Sequence, residues 1–154
     1  MAVSAIPHGY HSVTPYLTVD DAAAAIDFYK RAFGAVEVTR MMMGDKVGHA
    51  EIKIEGSYVM LSDEWPDMDK LSPKSRGGAT AGLMVYLDDV DAAFARAVEA
   101  GATVERPLED QFYGDRSGSV RDPFGHSWNL ATHVEDVTDA EIERRLEAMT
   151  TAPA

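Results

Sequence analysis

Between Val13 and Val19, apolar and hydroxyl-bearing side chains alternate. Val13, Leu17 and Val19 fall on one side of an extended chain; Ser12, Thr14, Tyr16 and Thr18 fall on the other. This period of two predicts a half-buried strand. Asp20 and Asp21 follow, giving an N-cap and negative charge where a helix start favours both. Ala22 to Ala25, Ile26, Phe28, Tyr29 and Phe33 then recur at helical spacing, and Gly34 supplies the left-handed residue that ends a helix.

The same order returns later. Ala81, Leu83, Val85 and Leu87 alternate with Gly82, Met84, Tyr86 and Asp88; Asp88 and Asp89 precede a helix striped by Val90, Phe94, Ala97 and Val98; Gly101 closes it. Asp20 maps onto Asp88 with a shift of 68 residues, and the turn glycines Gly56 and Gly125 are 69 apart. After each helix come three further extended runs: Val36 to Met43, His49 to Ile54 and Ser57 to Asp63 in the first copy, and Thr103 to Arg106, Ser117 to Arg121 and His126 to Thr132 in the second. A repeat found from two landmarks predicts an α+β chain of two tandem βαβββ modules. Module one runs over about 10–64 and module two over about 79–134, within a single domain spanning 1–154. The aperiodic, Pro-, Asp- and Gly-rich stretch 65–78 is expected to be a linker. Thr138 followed by Glu141 is a capping box that opens a last helix over about 138–149, and the final residues are expected to fray.

Helices need apolar strand faces, so Val13, Leu17, Val19, Leu83, Val85 and Leu87 are expected beneath them. The opposite face carries Ser12, Thr14, Tyr16, Thr18, Met84 and Tyr86. That mixture suits a ligand cavity or a wet interface. A solvated sheet face is the competing account, and for Met84 core packing is.

Composition narrows the function classes. The formal net charge of −12, from 26 acidic against 14 basic residues, disfavours nucleic acid and anionic membrane as partners. No apolar run is long enough to span a bilayer, and the N-terminus lacks a secretory pattern. The chain has no cysteine, which removes disulfides, thiolate metal sites and cysteine nucleophiles and fits a cytoplasmic location.

Thr14-Pro15-Tyr16-Leu17-Thr18-Val19-Asp20-Asp21, with Phe33-Gly34-Ala35, Asp122-Pro123-Phe124-Gly125-His126 and Trp128-Asn129-Leu130, resembles the vicinal oxygen chelate superfamily of glyoxalases, extradiol dioxygenases and bleomycin-resistance proteins. Gly48-His49-Ala50-Glu51 and Tyr113-Gly114-Asp115-Arg116 are similar to its PhnB-like subgroup. The resemblance implies a U-shaped sheet around a cavity, a small-molecule ligand and a homodimer. It also implies, in metal-dependent members, a divalent ion held by His and Glu. Those four positions fall here on Thr14, Met60, Gly82 and Asn129, a set from which no metal site is expected.

Other residues keep open readings. His49 and Glu51 share a strand face, and could hold a metal, act as base and orienter, or form a surface pair. His126, just after the turn, is expected to make a structural hydrogen bond. Arg116 and Arg121 near Tyr113 could hold an anionic or planar ligand, or neutralise a strand edge. Trp65 could close over the cavity rim or pack the linker. The expected ligand-binding set is thus Thr14, Tyr16, Met60, Trp65, Met84, Tyr86, Tyr113, Arg116 and Asn129. The expected function is cofactor-free binding of a small, partly aromatic molecule. The alternative is a lyase, isomerase or dioxygenase-type enzyme with a non-standard metal or an acid-base site.

Overall fold

The computed structural model describes residues 3–151; residues 152–154, expected to fray, lie outside them. Module one comprises β1 (Tyr16–Val19), α1 (Ala22–Phe33), β2 (Val36–Met43), β3 (Lys46–Ile54) and β4 (Ser57–Asp63). The linker holds a 3-10 turn (Pro66–Met68) and a one-turn helix α2 (Pro73–Arg76). Module two comprises β5 (Gly82–Tyr86), α3 (Val90–Ala100), β6 (Thr103–Asp110), β7 (Asp115–Arg121) and β8 (Ser127–His133), and α4 (Asp139–Thr151) follows. The sheet orders are β1-β4-β3-β2 and β5-β8-β7-β6, with the first strand of each module parallel to its last. The α+β tandem expectation is borne out.

The helix ends form where the sequence placed them. Asp21 and Asp89 cap α1 and α3 through the amides of Ala24 and Ala92, and Gly34 and Gly101 end these helices in the left-handed region. A second cap comes from each module's last strand. Asp63 Oδ1 accepts from Ala22 N at 2.7 Å, and Thr132 Oγ1 accepts from Val90 N at 3.0 Å. These two residues are 69 apart, so the repeat extends to a capping device that carries a different side chain in each copy.

α1 and α3 each cover one face of their own sheet, and α1 also packs on α3. Phe28, Tyr29, Phe33, Phe124 and Trp128 meet there, with Phe33 and Trp128 centroids 4.7 Å apart. Asp122 lies buried among them. Its Oδ2 accepts from Tyr29 Oη at 2.6 Å and Trp128 Nε1 at 2.9 Å, while Oδ1 accepts from the amides of Phe124 and His126 at 2.9 Å each. Four donors offset the desolvation of one carboxylate. Burial, and then the Asp122 charge, push the Tyr29 phenol well above its usual range.

Some expectations are corrected. Val13 is 86% exposed instead of lying under α1. β1 begins only at Tyr16, after Pro15, and the chain before it peels off the sheet. β6 extends to Asp110 where a loop was expected after Arg106. Pro107 sits where the β6–β7 register shifts, on an edge strand that tolerates a missing donor. Met84 is exposed, so the core account of it fails.

Asp122→Ala should destabilise the protein by about 3–5 kcal/mol, because it strands two buried side-chain donors along with the turn amides. Asp122→Asn, which keeps one acceptor oxygen, should cost less. Urea unfolding followed by near-ultraviolet circular dichroism reads both.

Candidate functional site

The sheet faces turned away from the helices carry the polar and aromatic residues. In module one, Tyr16, Met60 and Glu51 lie abreast on β1, β4 and β3. His49, two residues before Glu51, points the same way. Tyr16, His49 and Glu51 are hydrogen-bonded in series. Tyr16 Oη lies 2.8 Å from His49 Nδ1, and His49 Nε2 lies 3.1 Å from Glu51 Oε1. The Tyr10 hydroxyl donates to Glu51 Oε2, and the Tyr10 ring stacks on Tyr58 with centroids 3.9 Å apart. The segment before β1 therefore folds back over this face. Gly9 permits the approach, since it has φ +85° and a Cβ there would meet the Tyr58 ring at 3.2 Å. From the linker, Lys70 Nζ stands 4.3 Å from the Tyr16 ring centroid.

These contacts set the charge states. The Tyr10 hydrogen bond holds the Glu51 carboxyl below the usual carboxylate range, with His49 adding to it against the effect of burial. Burial, and then Glu51, push the Tyr10 phenol up to about 12. Desolvation lowers Lys70 from its ordinary value.

In module two, Met84, Asn129 and Ser119 lie abreast on β5, β8 and β7. Arg106 donates to Asn129 Oδ1 at 3.0 Å and to Ser119 Oγ at 3.3 Å. A second tyrosine network sits beside them: Tyr86 Oη donates to Asp115 Oδ2 at 3.0 Å, and His133 Nδ1 lies 2.7 Å from Asp115 Oδ1.

A cavity of about 520 Å³ opens at the seam of the modules, between β5 on one side and, on the other, the segment leading into β1 and the β3–β4 turn. Val13, Thr14, Tyr58, Met84 and Tyr86 are among its walls. Tyr16 lines an adjoining hollow of about 300 Å³ beneath the linker, with Leu71 and His126. A wider hollow of about 920 Å³ lies between the linker and module two, but its Arg121 and Glu105 pair with each other.

The expected ligand residues divide accordingly. Thr14, Met84 and Tyr86 border the seam cavity. Tyr16, Met60 and Asn129 occupy the same sheet faces. Trp65 pairs with Lys70 as an isolated bridge and takes Lys46 over its ring, so it packs the linker. Tyr113 packs edge-on against Phe112. Arg116 turns to the helix side and pairs with Asp91 on α3 and with Asp110. His126 makes a structural hydrogen bond, its Nε2 lying 3.0 Å from the Thr18 carbonyl. Sequence reasoning did not single out Tyr10, Lys70 or His133, and met Asp115 only inside the Tyr113-Gly114-Asp115-Arg116 motif. Only the aromatic Tyr10 just ahead of a strand offered a signal.

The metal implied by the fold finds no matching donors at its expected positions. Thr14 Oγ1 is directed at the His11 carbonyl, Asn129 Oδ1 is engaged by Arg106, and Met60 and Gly82 offer no oxygen or nitrogen from a side chain. Among the described residues no three His, Asp or Glu side chains form a group that could hold a metal ion. His49 and Glu51 remain a pair, joined to each other and to tyrosines.

Tandem βαβββ modules with a cavity at their seam define a class of cavity-bearing proteins whose chemistry is set by the lining. The chain belongs to the Glyoxalase/Bleomycin resistance protein/Dioxygenase superfamily, whose model matches residues 9–130. An uncharacterised Mycobacterium tuberculosis protein is 47% identical over 147 residues, covering 93% of this chain and 84% of its own. TioX from Micromonospora sp. ML1 has a similar structure, with TM-score 0.64 and 29% identity over 83% of this chain and all of TioX. An Arabidopsis thaliana gene product matches with TM-score 0.64 and 30% identity, covering 79% of this chain and 98% of its own. The PhnB protein of Bacillus cereus, at 19% identity and TM-score 0.60 over 79% of this chain and 99% of its own, shares the fold alone. Among the described residues no helix is long and apolar enough to cross a membrane.

His133 gives a check on the module-two network. The Asp115 hydrogen bond first, and then Asp136, raise its titration above the ordinary 6.5. A raised value means that the network's stabilising effect is complete below that ordinary value and is lost as pH rises through the raised one. The His133 Cε1 proton should titrate above 6.5 by NMR and move down in Asp115→Asn.

Proposed function

We propose that this protein binds a small, partly aromatic molecule at the seam between its modules, without a divalent metal. The observation that carries this reading is the seam cavity itself. It is large enough for a ligand of modest size, has aromatic and thioether walls, and holds a few polar groups at its edge. Thr14, Met60, Gly82 and Asn129, which stand where metal-dependent relatives hold their ion, support the same reading. Planar ligands are favoured because Tyr58, Tyr86 and Met84 offer flat or polarisable surface. Binding by a cytoplasmic homodimer is part of the proposal. Exposed Met41, Met42 and Met43 on the edge strand β2, and Leu146 and Met149 on α4, offer apolar surface to a second copy.

A second reading, acid-base catalysis on the same face, is favoured by one observation: the series of hydrogen bonds from Tyr16 through His49 to Glu51.

The test is elemental analysis of untagged protein, titration with Ni, Zn, Mn and Fe, and a thermal-shift screen of planar aromatic compounds. No metal should bind near one per chain. Screening hits should bind about tenfold more weakly to Met84→Ala, the scale expected when part of an apolar wall is removed. Stoichiometric metal that disappears in His49→Ala or Glu51→Ala would overturn the reading.

A further inference from the structure

Three of the six tyrosines donate their hydroxyl to a carboxylate: Tyr10 to Glu51, Tyr29 to Asp122 and Tyr86 to Asp115. A carboxylate keeps the proton on the phenol, and all three are raised above the ordinary value. Tyr16 differs. Among the described tyrosines it alone has its hydroxyl against a nitrogen base, His49 Nδ1 at 2.8 Å.

The tautomer follows from the partners. An ionised Glu51 only accepts, so the neutral His49 ring carries its hydrogen on Nε2 and turns the Nδ1 lone pair toward Tyr16. Glu51 is itself fixed by the Tyr10 hydroxyl. The Lys70 ammonium faces the Tyr16 ring, where electron density rises as the hydroxyl proton departs. A base, its orienter and a cation thus converge on one phenol that is 44% exposed and borders a hollow. This is the arrangement by which weak hydroxyl nucleophiles and acids are activated.

We propose that Tyr16 is the proton-transfer group of this face, acting on a ligand that carries a weakly acidic hydroxyl, an enol or a phenol. The Tyr16 oxygen takes the ligand's proton as its own proton passes to His49 Nδ1. One O–H bond forms on Tyr16 and one breaks. The ligand is left as an oxyanion, and Glu51 holds the imidazolium. This rests on the small-molecule reading above, but its test addresses Tyr16 directly and needs no ligand.

The probe is benzenesulfonyl fluoride, with adducts mapped and timed by peptide mass spectrometry. The phenol oxygen attacks sulfur, an O–S bond forms, the S–F bond breaks, fluoride leaves and the phenol proton goes to His49. Tyr113 is the internal control: it is 37% exposed, and its hydroxyl makes no hydrogen bond among the described residues. Tyr16 should react at least about tenfold faster than Tyr113, the low end of what a positioned base provides. In folded His49→Gln the two rates should converge, and Glu51→Gln should fall between. Equal rates in the native protein, or an unchanged Tyr16 rate in His49→Gln, would overturn the relay. The native comparison needs no variant to fold. Fast labelling with an empty ligand screen supports the relay and overturns the binding reading; screening hits with slow labelling do the reverse.

Discussion

The buried carboxylate of Asp122 accepts from Tyr29 on α1, from Trp128 on β8 and from two amides of its own turn. Among the described residues it is the one polar group that ties the helix of module one to the last hairpin of module two. Around it, Phe28, Phe33 and Phe124 exclude water, so these bonds act in a low dielectric. The turn held by Asp122 launches β8, and β8 carries Asn129 and His133 onto the cavity face. Tyr29 and Phe33 of α1 pack against Trp128 at the same junction. Trp128, which donates to Asp122, also lines the seam cavity, so one side chain joins the buried carboxylate to the cavity wall.

The modules share a plan and diverge on their free faces. Asp63 and Thr132 occupy equivalent positions and cap equivalent helices, but the carboxylate also reaches Val47 N, while the threonine hydroxyl donates to the Leu87 carbonyl. Helix-side positions are constrained by such bonds and by packing. Positions on the other face are not, and there the copies differ. Module one strings Tyr16, His49 and Glu51 together and is covered by Tyr10. Module two sets Tyr86 and His133 around the buried carboxylate of Asp115. Duplication gives the frame twice, and the chemistry once in each form.

How much was legible follows from the range of each interaction. Periodicity and caps are local, so the modules, their order and both helix ends could be read directly. Alternation also placed Tyr16 and Met84 on the free face, and the family resemblance placed Met60 and Asn129 there. Alternation misplaced Val13, because a strand's start depends on where its partner ends, and Pro15 frees the chain just before β1. Tyr10 reaching Glu51, Asp115 reaching His133 and Lys70 lying over Tyr16 join residues 18 to 54 positions apart with no periodic signal. Arg116 shows the limit of a side chain considered without its partner. One position from Ser117, which faces away from the helices, it serves α3 instead.

The chain is strongly acidic, and most of its described cations pair with carboxylates, as Arg40 does with Glu37, Lys74 with Asp20 and Arg121 with Glu105. The free face departs from that pattern. Lys53 lies over the Tyr58 ring, Lys70 over Tyr16, and Arg106 holds the neutral Asn129 and Ser119. None of the three forms a salt bridge among the described residues. Their charge is thus uncompensated at contact distance and directed at aromatic and amide surface. The carboxylates of that face, Glu51 and Asp115, are taken up by tyrosine hydroxyls and histidines, so its lysines and arginine share the face with anions that they do not pair with.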